Sequence, residues 1–400
     1  MYKKVFLKRG KEESLQRFHP WIFSGALHHT DEGLEEGEVV AVVTSDGSTA
    51  ALGHYQQGSI AVRVLTFFDR LSDETAQNET CIDRAFWAKR LSSALQMRQA
   101  MGIAGSTRGN TYRLVHGEGD MLPGLIIDVY GDTAVIQAHS IGMHLSRHDI
   151  AQALTEVMGP RLSNVYYKSE TTLPFMEPEN GFLIGQTDEN VATENGLHFY
   201  VDWLRGQKTG FFVDQRDNRA LLEHYAKGRK VLNMFCYTGG FSVYAMRGGA
   251  TLVHSVDSSA KAIELTRANM ALNFPGDPRH EAYCEDAFKF LDSPLADYDL
   301  VVLDPPAFAK HRGALHNALK GYTRLNMKAL EKMPSGSILF TFSCSQVVTK
   351  DHFRNAVFTA AALARRKVHI LHQLHQPADH PVNIYHPEGE YLKGLVLYVE

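Results

Sequence analysis

Cys344 sits between Ser343 and Ser345, where the apolar run "ILFTF" comes to its end. A thiol at the carboxyl edge of a strand can act as a nucleophile once ionised. It can equally be a small buried side chain, a common fate of free cysteine. The other cysteines are Cys81, Cys236 and Cys284. Cys236, in "VLNMFCYTGG", is a rival thiol at another strand exit. A second chemical feature precedes Cys344 in the chain. "DYDLVVLDPPAFAK" runs four hydrophobic residues into Asp304-Pro305-Pro306. Two prolines stiffen the exit from a strand and hold a carboxylate at the sheet rim. Phe308, just beyond, offers an aromatic face to a planar substrate.

Three further segments suit a nucleoside ligand. "VLNMFCYTGGFSVYAMRGGA" carries a strand into Gly239-Gly240 and then into a helix. Glycine at such a corner lets backbone approach a ligand closely. The spacing lacks the third glycine of the dinucleotide signature, so an ordinary tight turn stays open as a reading. "TLVHSVDSS" ends a strand on Asp257, whose carboxylate can accept both hydroxyls of an adenosine ribose. "YCEDAF" places Asp286 past the next strand, within reach of an adenine amino group, or as a helix cap. Tyr237 and Ser258 adjoin the glycine corner and Asp257, and Asp304 edges the same cleft, so all three join the candidate cofactor contacts.

These residues must be positioned by a common scaffold. From about residue 196 the pattern is βαβ, with strands expected at 231–235, 251–256, 281–284, 298–303 and 336–342. Helical periodicity covers 241–247, 259–273, 315–332 and 346–363. Short crossovers of this kind demand parallel strands with helices on both faces, and ligands bind at the carboxyl ends. Runs at 367–375 and 392–399 are expected to form an antiparallel edge pair. Earlier in the chain, residues 1–70 alternate like a small β unit whose edges a barrel would hide. Trp21 and Phe23, in "FHPWIFSGAL", are most simply core residues, or help to position an RNA-facing surface. The polar stretch 71–79 looks like a linker. A helix through 81–102, strands at 124–130, 133–138 and 162–167, and a helix at 145–158 make a compact α+β unit.

Composition narrows the classes. The chain has 400 residues, 44% of them hydrophobic, enough for two or three packed domains. No apolar run reaches the 18 or so residues of a membrane span, and no signal segment opens the chain. Scattered cysteines without a CxxC pair point to a reduced, cytoplasmic setting. Twenty histidines form no HExxH or other close ligand set, so no metal is expected. The net charge of −4 hides local asymmetry. Lys3, Lys4, Lys8, Arg9, Lys11 and Arg17 crowd the amino terminus, and 301–330 holds five Lys/Arg against Asp304 alone. Each cluster is either a solvated face or part of a nucleic-acid footprint.

Taken in order, "HPWIFSGAL", "YRLVHGEGDMLPGLIIDVYGD", "GQKTGFFVDQRDNR", "NMFCYTGGFSVYA", "DPPAFAK" and "SCS" resemble class I S-adenosylmethionine-dependent methyltransferases. The chain is most similar to bacterial 23S ribosomal RNA 5-methylcytosine methyltransferases with an amino-terminal PUA domain, over essentially its whole length. The resemblance implies an α/β fold. A β-barrel PUA domain (1–72) and a small α+β domain (73–190) would precede a Rossmann-like methyltransferase domain (191–400). It implies S-adenosyl-L-methionine as cofactor, and it assigns Lys208, Thr209, Gly210 and Arg216 to the cofactor site. Read from its residues alone, that segment is a basic turn into a helix, whose cations could meet a carboxylate or RNA phosphates.

The resemblance also places the nucleophile at Cys344. Carbon 5 of cytosine is a poor nucleophile; a thiolate adding at carbon 6 makes it enamine-like. Asp304 could then hydrogen-bond the Watson–Crick edge. Some related enzymes carry a second cysteine after the prolines for product release; here Ala307 stands there. Candidate RNA contacts are Lys8, Arg9, His19 and Trp21 in the first domain, and Phe308, Lys310 and Arg312 beside the acceptor site. The expected partner is 23S rRNA or a large-subunit assembly intermediate, with a homodimer as one assembly the early apolar segments allow. Three other functions fit the pattern less well: a guanine-modifying RNA methyltransferase, a small-molecule methyltransferase with an unrelated appended barrel, and an RNA-binding assembly factor that keeps the cofactor fold.

Overall fold

The computed structural model describes residues 2–68, 80–173, 175–177, 179–295 and 297–400. The expected linker at 71–79 and the 72/73 boundary lie outside the described residues. The chain forms two compact units. The first comprises residues up to Thr193 with Val201–Phe211 and Ala378–Gly389; the second comprises Glu194–Tyr200, Phe212–Pro377 and Glu390–Glu400.

In the first unit, six strands make a curled half-barrel: β1 (Lys3–Leu7), β2 (Trp21–Phe23), β3 (Leu27–Thr30), β4 (Val39–Val43), β5 (Thr49–Tyr55) and β6 (Ile60–Phe67). Their order is β2-β6-β5-β4-β1-β3. Alternation on β2 buries Ile22 and exposes Phe23, which corrects the expectation that Phe23 is core. A five-stranded sheet follows: β7 (Thr111–His116), β8 (Leu125–Tyr130), β9 (Thr133–Ala138), β10 (Asn164–Tyr167) and β11 (Gly181–Ile184). The helices Arg84–Ala100 and Arg147–Met158 pack on it. Asp83 caps the first of these helices, accepting from the Phe86 N–H at 3.0 Å.

The half-barrel is not self-contained. Leu65 of β6 belongs to the core built on Trp87, Leu91 and Ile127, and Arg90 donates to the Leu65 carbonyl at 2.9 Å. The segment 378–389, expected in the catalytic domain, folds with this unit. Arg98 and the Arg113 N–H bind Asp379 at 2.7 and 3.0 Å, and Asn383 donates to the Glu118 carbonyl at 3.2 Å. Because these long-range bonds are satisfied inside the first unit, a single boundary at 190 does not describe the chain. A short ribbon, β12 (Val191–Glu194) with β13 (Leu197–Tyr200), falls where the chain passes between the units.

The main sheet of the second unit has seven strands among the described residues: β14 (Lys230–Met234), β15 (Leu252–Asp257), β16 (His280–Cys284), β17 (Leu300–Leu303), β18 (Ser337–Ser343), β19 (Val368–Leu374) and β20 (Lys393–Val399). The order is β16-β15-β14-β17-β18-β20-β19, parallel from β16 to β18. Strand β20 inserts antiparallel between β18 and β19, as the two terminal apolar runs suggested. Every residue of β18 is buried, as expected for a central strand covered on both faces. The last crossover helix runs Lys350–Leu363 rather than from 346, because Thr349 caps it and accepts from the His352 N–H at 3.1 Å.

Candidate active site

Parallel register aligns the strand ends of the second unit. Met234 pairs with Val256 and Leu303, Leu303 with Thr341, and Asp257 with Cys284. The loops bearing Gly239, Asp257, Asp286, Asp304 and Cys344 therefore leave the same edge of the sheet.

The turn after β14 is tight. Phe235, Tyr237 and Gly239 all have positive φ, at 58°, 48° and 76°. For the two aromatic residues this is a costly backbone state, of the kind held at ligand sites. A Cβ on Gly239 would lie 2.7 Å from the Thr266 side chain, so no other residue fits there. Gly239 caps the helix Gly240–Arg247. The Asp257 carboxylate is oriented by two backbone donors, Tyr237 N at 3.0 Å and Ser259 N at 2.9 Å. Ser258 is exposed beside it. Asp286 is exposed and caps the next helix through the Lys289 N–H at 3.0 Å, which joins its two expected roles. A glycine cradle, an oriented carboxylate past β15 and an exposed acid past β16 suit the methionine, ribose and adenine parts of S-adenosylmethionine respectively.

Asp304 is half-buried and accepts from Gln215 Nε2 at 3.0 Å; Asn218 in turn donates to Gln215 Oε1 at 2.7 Å. Sequence reasoning missed Gln215 and Asn218. Both lie in "VDQRDNR", where no local pattern marks the amides among the charged residues. Arg216, between them, is buried and 3.4 Å from Asp217.

The two serines beside Cys344 have separate jobs from the thiol. Ser345 Oγ accepts from Ala309 N at 3.3 Å and shares a hydrogen bond with the Tyr322 hydroxyl at 3.0 Å. Ser343 is buried within β18 and accepts from Ser345 N at 3.4 Å. Ser345 thus ties the loop after Asp304 to the end of β18, and leaves Cys344 half-buried, its Sγ 4.0 Å from the Pro305 carbonyl oxygen. Cys236 is buried against Thr266, and burial pushes its thiol up to about 12. It is a poor nucleophile at neutral pH.

Phe308 commits one face to Tyr322, with ring centroids 4.6 Å apart. Lys310 and Arg312 are exposed. Lys208, Thr209 and Gly210 belong to the first unit. Lys208 is exposed, while Thr209 is fully buried and its hydroxyl bonds Asp128 at 2.6 Å and Tyr130 at 2.9 Å. Gly210, at φ 114°, is pressed on the Asp202–Trp203 backbone. Among the half-barrel candidates, Lys8 and Arg9 are exposed and His19 is half-buried. Trp21 is half-buried, its Nε1 donating to Glu118 at 2.9 Å.

Comparison with known proteins gives this geometry a family. The S-adenosylmethionine-dependent methyltransferase family model matches residues 179–393, and a PUA-like domain model matches 5–67. The ribosomal RNA large subunit methyltransferase I of Shewanella denitrificans is 38% identical over 410 residues, covering 99% of each chain. That of Tolumonas auensis is 40% identical over 403 residues, covering 98% of each. The chain belongs to this methyltransferase family. The two matched domains account for the half-barrel and the seven-stranded sheet. Solved structures agree in fold. A Streptococcus mutans structure described as an S-adenosylmethionine-dependent methyltransferase is 23% identical with a TM-score of 0.82, covering 98% of this chain and 99% of that one. A methyltransferase complexed with S-adenosylhomocysteine is 24% identical with a TM-score of 0.83 and the same coverage. The enzyme is an S-adenosylmethionine-dependent methyltransferase, and the strand-end residues described above fit that cofactor. Among the described residues no group of three or more metal-ligating side chains comes together, and no helix is long and apolar enough to cross a membrane.

Proposed function

We propose that the enzyme methylates carbon 5 of a cytosine in 23S rRNA through a covalent bond from Cys344. The observation that carries this reading is the pairing of β17 with β18, which sets the Asp304 loop beside Cys344 while Ser345 links the two loops. Methylation at a base nitrogen or at oxygen needs no thiol there. The Cys344 thiolate adds to carbon 6, and the bonding pair passes to carbon 5. Bound S-adenosylmethionine supplies a sulfonium methyl group for that carbon. Loss of the carbon 5 proton to a base then breaks the S–C6 bond and restores the thiolate. Asp304, steadied by Gln215, orients the base through its Watson–Crick edge. A cytosine within a stem leaves its stack to reach the site.

Lys310 and Arg312 hold phosphates near the acceptor, and Phe308 presents its remaining face to the base. Lys8, Arg9, His19 and Trp21 contribute contacts on the half-barrel. The partner is 23S rRNA, free or within a large-subunit assembly intermediate, and the working compartment is the cytoplasm. The relatives' names support the RNA substrate.

Target RNA containing 5-fluorocytosine tests the reading. Fluorine blocks elimination, so a methylated adduct should survive denaturing electrophoresis and map to residues 341–346. Cys344→Ala should lose both the adduct and methyl transfer. An adduct on Cys236, full activity in Cys344→Ala, or methylation of guanine would overturn the proposal.

A further inference from the structure

Lysine is out of place in a buried strand position, yet Lys393 opens β20 and is only 5% exposed. The antiparallel register sets it opposite Ser343, and its Nζ donates to the Ser345 carbonyl at 2.7 Å. Its ammonium therefore lies along the backbone that brackets Cys344. An ammonium carries three donors, and one of them is used here. Among the described residues no carboxylate is within ion-pair distance of Lys393; Glu390, close in sequence, is paired with Lys350 at 2.5 Å. A buried charge without a counter-ion is expensive and tends to neutralise. Burial pulls Lys393 down to about 8, and the largest opposing influence is Cys344, ahead of Glu390; Lys350 acts in the same direction as burial.

We propose that Lys393 is a positioning residue that holds Cys344 as a thiolate, the buried ammonium pairing with the half-buried sulfur at the end of β18. This rests on Cys344 being the nucleophile. The thiol proton leaves to solvent, Lys393 keeps its own protons, and the sulfur's negative charge moves into the base when the S–C6 bond forms. The ammonium then favours the reverse charge movement as the bond breaks, because a thiol with a stabilised anion is the better leaving group. That is an advantage in a chain with Ala307 in place of a second cysteine. The other titratable groups around this pair are Asp304 on the loop after β17, Tyr322 on the helix Leu315–Lys332, and the Lys350–Glu390 pair. Asp304 accepts from Gln215, and burial raises Tyr322, which stays neutral at working pH.

The test is iodoacetamide alkylation of the full-length protein over roughly pH 5–10, which spans the ordinary thiol range, with each cysteine followed by peptide mass spectrometry. Cys81 and Cys284, both exposed, are internal references. In the wild-type protein the midpoint for Cys344 should fall about one unit or more below theirs, and Lys393→Met should raise it by about one unit, slowing alkylation at neutral pH roughly tenfold. Lys393→Arg, which keeps the charge, should restore most of the shift. A wild-type midpoint at or above the references overturns the proposal without any variant. So does a midpoint that Lys393→Met leaves unmoved. If the 5-fluorocytosine adduct forms on Cys344 while its midpoint ignores Lys393, the ion pair fails and the nucleophile stands. A low, Lys393-dependent midpoint with no adduct does the opposite.

Discussion

In the proposed reaction, Asp304 carries the most chemistry for a single residue outside Cys344. Its position is set by the end of β17 and the stiff Pro305-Pro306 step, and its orientation by Gln215 at 3.0 Å. Replacing it with asparagine preserves size and most hydrogen bonding but removes the negative charge. We expect Asp304→Asn to bind S-adenosylmethionine and to unfold at the wild-type temperature, yet to transfer methyl groups roughly 10²-fold more slowly, the scale of a lost electrostatic or proton-transfer group. Single-turnover rates on the target RNA measure this; a rate near wild type would rule out a direct role. Cys236 stands beside the glycine corner, but burial holds its thiol protonated, which makes it a poor nucleophile.

Between elements, the decisive contact is a side chain from a helix to a strand end. Tyr322, on the helix Leu315–Lys332, is fully buried and reaches Ser345 at 3.0 Å, while its ring packs on Phe308. One residue thereby links the crossover helix, the loop after Asp304 and the end of β18. Tyr322→Phe keeps the ring contact and removes the hydroxyl, which should cost about 1 kcal/mol of stability. Methyl transfer should fall further than that loss alone accounts for, because Ser345 is then free to shift the backbone of Cys344. Denaturant unfolding alongside kcat gives the comparison, and an unchanged kcat in a destabilised protein would show that the hydroxyl serves packing only.

At the scale of the molecule, the half-barrel cannot be treated as a removable module. Leu65 and the Arg90–Leu65 bond join it to the core of the first unit, so deleting residues 1–70 would open that core as well as remove the proposed RNA contacts. Charge reversal on the surface is the cleaner probe. Lys8→Glu with Arg9→Glu should leave S-adenosylmethionine affinity intact, weaken RNA binding and reduce the slope of log affinity against log salt by roughly 1–2, about one per lost phosphate contact. Filter binding at several salt concentrations reads both quantities; an unchanged slope would remove these two residues from the RNA contact surface.

Much of the scaffold was legible from local pattern. The strands bearing Asp257, Asp304 and Cys344, and the helix Leu315–Lys332, follow hydrophobic periods that act over a few residues. Capping and turn chemistry are equally local, which is why Asp286 could be read at once as a helix cap and a strand-end acid. The motif residues Asp304 and Cys344 stand out for the same reason, since each directly follows a recognisable apolar strand, and Gly239 marks the turn after another. What the chain brings together over long separations was not legible. Gln215 meets Asp304 and Lys393 meets Ser345 only because the sheet order juxtaposes their elements. No periodicity marks a lysine in "YLKGLVLYV" as the neighbour of a thiol. Likewise the return of 378–389 to the first unit depends on buried polar bonds to Arg98 and Arg113, whose partners are chosen by three-dimensional complementarity. Sequence determined the elements and the reactive side chains; tertiary structure decided which charge and which hydrogen bond each reactive group would meet, because those interactions depend on distance in space.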